Sequence, residues 1–239
     1  MKVLILINKV GLGDCIILIN YIHEISKKYG KPISVLAKKN TRAKDLFQDD
    51  PHINEVITLD RLNDNTGCHD GLNGFFKLVK HIKEKKFDKV FIFNSSIRYF
   101  LVCKTAGIKK IAQYPLFKKK GQHVVNTAKI FTENELNKIV STQPKLLISE
   151  EKILKAKKDI SLNHKNIVLG VSASGPTKRW GIKNFMKLIE KIIEKYPSKF
   201  YLAAGKNDQQ LIDEILNSNI GSNCISLNLP HPDQLHQII

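Results

Sequence analysis

Two short turns hold the residues whose types and spacing could do chemistry. The first is Gly11-Leu12-Gly13-Asp14, and the second runs from Ser172 to Trp180 and contains Ser174, Gly175, Pro176, Thr177, Lys178 and Arg179. Glycines at 11 and 13 let a backbone come close to a ligand, and a helix start beside them offers unpaired N–H groups. Asp14 is then either a helix cap or a general base, and spacing by itself does not choose. In the second turn, hydroxyl side chains, a Gly-Pro corner and two adjacent cations suit a phosphate held at a helix N-terminus. The competing reading is a surface loop with Trp180 packed as a hydrophobic staple.

Both turns need a strand before them and a helix after them. Val3 to Ile7 is a continuous β-branched apolar run, the pattern of a strand buried on both faces, and residues 15–29 read as the helix that follows. Strands are expected at 33–37, 56–59 and 89–93, with an amphipathic helix at 75–85. Helix is expected at 123–137 and 150–160, and a short strand at 144–148. The alternation restarts with strands at 167–171, 200–204 and 224–227 and helices at 182–196, 208–217 and from 231 onward. A βαβ series of this kind specifies a parallel sheet. Residues 161–166 have linker composition. The expected organisation is therefore two Rossmann-like doubly wound domains, residues 1–163 and 164–239, the second incomplete with three strands.

Several function classes fall away. A dinucleotide fingerprint needs a third glycine where Ile16 stands, and an acidic residue where the second strand ends in Ala37-Lys38-Lys39-Asn40. There is no Walker loop. Cys15, Cys68, Cys103 and Cys224 are scattered without zinc-ligand spacing, so no metal site is expected. The formal charge is +17, yet arginine occurs only at 42, 61, 98 and 179. Lysines spread over many helices point to solvated faces and a general pull toward anionic partners rather than to nucleic-acid readout. The longest apolar runs are too short to span a bilayer, and no leader precedes the first strand, so a cytoplasmic protein is expected.

A strand leading into G-x-G-D-x-I (Gly11 to Ile16), with Lys178-Arg179-Trp180 opening the second half, resembles the heptosyltransferases of glycosyltransferase family 9. Residues 51–57, Phe87-Asp88-Lys89-Val90 and Ser95-Ser96 fit the same family. The resemblance implies the GT-B architecture, with the acceptor on the first domain and the nucleotide sugar on the second. It implies inverting transfer of heptose from ADP-heptose to an acidic lipopolysaccharide-core acceptor. In that reading Asp14 is the base, and Lys178 neutralises the departing diphosphate. Ser172, Ser174 or Thr177 donate hydrogen bonds, and Asp208 lies near the residue that meets the nucleoside. Arg98, Lys118, Lys119 and Lys120 are candidates for acceptor phosphate or carboxylate, and a peripheral place on the anionic inner membrane follows. No D-x-D motif is present, which agrees with an enzyme needing no metal and no cofactor.

Two departures from the family pattern stand out. Gly181 replaces the proline that usually follows the tryptophan. The D-T/S-G-x-x-H segment that grips the donor phosphates does not occur, which reads as a truncated second domain. On that expectation the chain alone would bind a sugar nucleotide poorly unless a second polypeptide completed the fold. The alternative function is a non-catalytic remnant or glycan-binding module of the same fold.

Overall fold

The computed structural model describes residues 1–8, 11–62, 66–115, 123–160, 163–173, 175–205 and 208–227. Contacts divide the chain into two compact units, residues 1–147 and 148–239. The helix Glu150–Asp159 thus groups with the second unit. The stretch 161–166, taken from its composition as the domain boundary, follows that helix.

The first unit opens with β1 (Val3–Ile7), buried at every residue, and α1 (Leu12–Tyr29), which Gly30 ends in the left-handed conformation at φ 62°. Then follow β2 (Ile33–Lys38), the short α2 (Ala43–Leu46), β3 (Ile53–Leu59), α3 (Gly71–Lys85), β4 (Lys89–Ile92), α4 (Ile97–Thr105), β5 (Lys110–Gln113) and α5 (Val124–Leu136). The five strands are parallel in the order β3-β2-β1-β4-β5. The winding reverses between β1 and β4, where ligands of open α/β sheets bind beyond the carboxyl ends of the strands. Leu4 and Leu6 of β1 share one core with Leu78, Val79 and Ile82 of α3 and Tyr99 and Val102 of α4. On α5, Phe131 meets Phe91 of β4, Phe93 just after that strand and Tyr114 just after β5 edge-to-face, with ring centroids 5.0–6.3 Å apart. Helices on both faces explain why the central strands carry continuous apolar runs.

The expected strand at 144–148 does not form. Leu146, Leu147 and Ile148 supply the apolar character but pair with no neighbouring strand, and Pro144 has no N–H to give a ladder.

The connection from β3 to α3 is tightly folded. Asp70 accepts from Arg61 Nε at 2.7 Å and from the N–H groups of Leu62 and Gly67 at 3.0 Å. The Arg61 guanidinium, helped by those N–H groups, holds the Asp70 carboxyl below the usual carboxylate range. Gly74 of α3 lies against the His69 backbone, and a Cβ there would sit 2.2 Å from the His69 carbonyl carbon. Backbone cannot yield as a flexible side chain would. Gly74→Ala is expected to cost about 2 kcal/mol through overpacking, read as a lowered urea midpoint.

His69 is buried, and its Nδ1 accepts the Asp60 N–H at 3.0 Å, a bond that only the unprotonated nitrogen can make. Burial depresses its affinity for a proton, and burial does the same for His52 beneath α1. Both groups bind protons more readily when unfolded, so their contribution is fully present above about pH 6.5 and is lost as pH falls through the depressed folded values. The urea midpoint should therefore drop between pH 7.5 and 5.5. A flat profile there would contradict this account of the two histidines.

The second unit contains α6 (Glu150–Asp159), β6 (Lys165–Gly170), α7 (Ile182–Ile193), β7 (Ser198–Ala203), α8 (Gln209–Leu216) and β8 (Cys224–Ser226). Its strands are parallel in the order β6-β7-β8. Ile167, Leu169, Phe200 and Leu202 pack against Ile189 of α7 and Ile212 and Ile215 of α8. On the other face Val168, Tyr201 and Ile225 stand in register, with Val168 and Ile225 exposed. The helix expected from 231 onward lies outside the described residues.

Candidate functional site

In the first unit the Gly-x-Gly-Asp turn follows β1 at the reversal of the sheet. Helix α1 starts at Leu12, earlier than its apolar periodicity indicates, so Gly11 is the cap residue and Asp14 the third helical residue. Asp14 is half-buried, and its carboxylate accepts the Gly11 N–H at 3.2 Å. The capping role weighed from sequence is therefore present. It leaves a half-buried carboxylate in the first turn, where the helix dipole favours negative charge. Gly13, beside it, is exposed.

After β4, the Gln113 side-chain amide donates to the carbonyls of Asn94 and Ser96, both at 2.9 Å, and Asn94 Oδ1 accepts the Ser96 N–H at 2.6 Å. These bonds fix the loop that starts α4. Arg98, expected to meet an acceptor anion, uses one guanidinium nitrogen on the carbonyls of His69 and Gly71 at 3.0 and 2.8 Å. Its charge lies 5.6 Å from the Phe75 ring. The contacts observed for Arg98 tie α4 to α3. Lys118, Lys119 and Lys120 lie outside the described residues.

A cavity of about 360 Å³ opens at the carboxyl ends of β2 and β3, lined by Lys38, Lys39, Asn40 and residues Leu59 to Leu62. In the sequence Lys38 and Lys39 stand where a dinucleotide fold would need an acidic residue. Their position after a strand was the available signal for a basic pocket.

In the second unit the loops after β6 and β7 are joined. Ser172 Oγ accepts the Gly205 N–H at 2.8 Å. Arg179 donates to the Asp208 carboxylate at 2.9 Å and to the Ala173 carbonyl at 3.3 Å. Ser172, Arg179 and Asp208 are thus brought together at the carboxyl ends of two adjacent strands. Arg179 was named in the motif but assigned no role. Thr177 and Lys178 sit on a short 3₁₀ turn, Pro176–Lys178, and are exposed. The Lys178 N–H donates to the Gly175 carbonyl at 3.1 Å, and its ammonium has no partner among the described residues. Ser174 lies outside the described residues.

Trp180 packs edge-on against Phe185 with ring centroids 5.0 Å apart. Gly181 caps α7, which makes this the staple between the residue before the cap and the fourth helical residue. The staple aims the chain, and Lys178 lies just outside it, so the two readings of this turn are compatible. Gly181 has φ 94°, a value closed to proline. The proline that the resemblance leads one to expect here would need a different backbone conformation.

Residues 75–229 match the sequence profile of glycosyltransferase family 9 (heptosyltransferase), well over half of the chain. No curated protein matches by sequence. Among solved structures, the chain is similar to the Escherichia coli ADP-heptose lipopolysaccharide heptosyltransferase II, with TM-score 0.70 and 20% identity. That match covers 100% of this chain and 76% of the other. It is similar to a family 9 glycosyl transferase from Veillonella parvula DSM 2008, with TM-score 0.74 and 16% identity, covering 94% and 69%. A third similar structure is E. coli heptosyltransferase WaaC with ADP-2-deoxy-2-fluoro heptose, with TM-score 0.63 and 11% identity, covering 96% and 76%. At these identities the likeness speaks for the fold, which is GT-B-like with Rossmann-like domains.

Proposed function

Because the chain belongs to glycosyltransferase family 9, the heptosyltransferases, we propose that it transfers a heptose-type sugar from ADP-heptose to an acidic lipopolysaccharide-core acceptor. The observation that carries this reading is a matched pair of groups on the two Rossmann-like units. One is a half-buried carboxylate at the reversal of the first sheet, and the other is an ammonium without a partner among the described residues, at the phosphate-type turn of the second.

The reaction is a single displacement. Asp14 takes the proton of an acceptor hydroxyl as its oxygen attacks the anomeric carbon. The bond from that carbon to the diphosphate breaks, ADP leaves with the electron pair, and the new glycosidic bond has the opposite anomeric configuration. Negative charge builds on the diphosphate as it leaves. A cation and hydroxyls of the same turn stabilise that charge, which is the role of Lys178, Thr177 and Ser174. Ser172 acts differently, since its Oγ already joins the two loops, so it positions the turn. Asp208 meets the nucleoside once Arg179, its present partner, turns toward the phosphates. On the acceptor side, Lys38 and Lys39 give the cavity beyond β2 and β3 the sign that an acidic sugar needs.

The acceptor is lipid-linked, so the enzyme works at the cytoplasmic face of an anionic membrane. The charge of +17 favours this, and among the described residues no helix is long and apolar enough to cross the bilayer.

The chain has one tryptophan, Trp180, two residues from Lys178. Titration with ADP should change its fluorescence saturably, though with low affinity, whereas adenosine and NAD at equal concentration should do so less. An equal response to all three, or none to ADP, would remove the donor site from the second unit.

A further inference from the structure

We propose that the outer faces of α3 and α4 form a docking surface for an anionic lipid bilayer. The two helices cover the same face of the first sheet. Each leaves two large apolar side chains in solvent one turn apart: Leu72 and Phe76 on α3, at 79% and 63% exposure, and Ile97 and Leu101 on α4, at 60% and 44%. Residues four apart on a helix share a face.

The first turns of the helices are held together. Arg98 of α4 donates to the Gly71 carbonyl of α3 at 2.8 Å and lies over the Phe75 ring. The two exposed pairs therefore lie on adjoining helices, and exposed apolar surface of this kind marks an interaction site.

Charge identifies the partner. Farther along the same stripes stand Lys80 and Lys83 on α3 and Lys104 on α4. The two helices together carry six Lys and Arg residues against one carboxylate, Glu84. Apolar tips beside flexible lysines match an interface where hydrocarbon lies beneath phosphate headgroups. A second copy of this face would set Lys80, Lys83 and Lys104 against their own counterparts, which disfavours self-association. Lysine, a compact and strongly hydrated charge, suits a diffuse anionic surface better than a fixed bidentate contact.

This surface rests on the functional reading only for the reason a membrane is met. Its test reads lipid binding directly, so a failure of ADP binding would sink the transferase and leave the surface standing. The full chain is sedimented with vesicles of phosphatidylglycerol and phosphatidylethanolamine, and with phosphatidylcholine alone. Wild-type protein should bind the anionic vesicles and scarcely bind the neutral ones.

The exposed double substitution Phe76→Ser with Ile97→Ser should weaken binding about tenfold or more, with the circular dichroism spectrum unchanged. Lys80→Gln with Lys83→Gln should weaken it and reduce its salt dependence. The same charge change on α6, Lys155→Gln with Lys157→Gln, should have little effect. Equal losses from the α3 and α6 lysine pairs would show that net charge alone binds lipid and would overturn the proposal. So would binding unaffected by the serine pair, or no vesicle binding at all. A serine variant that turns a dimer into a monomer on gel filtration, with vesicle binding intact, would assign the patch to a second copy instead.

Discussion

Asp14→Asn is expected to lower turnover about 10³-fold or more while leaving the fold and the affinity for ADP in place, the size of effect for losing a general base. The choice of asparagine matters. Asp14 also accepts the Gly11 N–H at the start of α1, and an asparagine oxygen can make that bond almost as well. The substitution therefore removes proton affinity and keeps the cap. Alanine would remove both, so a lost activity could then reflect a frayed helix. The comparison is kcat for acceptor-dependent ADP release, with the thermal midpoint read on the same samples. A variant with unchanged kcat would remove Asp14 from the chemistry and leave it as a cap. Protein that binds the glycan with unchanged affinity, and whose wild type releases no ADP, would be a binding module.

Lys178→Ala is the second large effect, about 10²-fold to 10³-fold in kcat/KM, the usual loss when one preorganised group facing developing charge is deleted. Nothing in the packing compensates or confounds it. Lys178 is exposed on a short turn, and among the described residues its ammonium holds no other element in place. The staple of Trp180 on Phe185 and the Arg179–Asp208 pair do not depend on it. Stability should stay within about 0.5 kcal/mol of wild type, as for an ordinary surface substitution. Lys178→Arg should recover part of the loss, because the charge is kept although its shape differs. Full activity in the alanine variant would move charge neutralisation to Arg179. That residue would then have to leave Asp208.

What could be seen in the sequence was local. Val3 to Ile7 specifies a buried strand by its own composition, and Gly11-Leu12-Gly13-Asp14 specifies a strand-to-helix turn by its glycines. The staple at Trp180 could be proposed because its partner lies five residues away. What could not be seen depends on distant partners. The bond between Ser172 and Gly205 spans 33 residues and the Arg179–Asp208 pair spans 29, and each is set by β6 and β7 pairing in parallel. Arg98 resembled a free cation until the loop between β3 and α3 presented two carbonyls to it. The apolar residues 146–148 looked like a strand, but a strand exists only where a neighbour supplies a ladder. The positive φ of Gly181 was hidden because glycine permits many conformations and the sequence does not say which is used.

The most direct measurement is of the product. Protein is incubated with ADP-heptose and an acidic lipopolysaccharide-core acceptor, and the glycan is examined by mass spectrometry and by the proton coupling at its new anomeric centre. The expected result is an acceptor heavier by one heptosyl residue, with the anomeric configuration opposite to that of the donor. Donor hydrolysed to free heptose, a linkage that retains the donor configuration, or an acceptor recovered unchanged would contradict it.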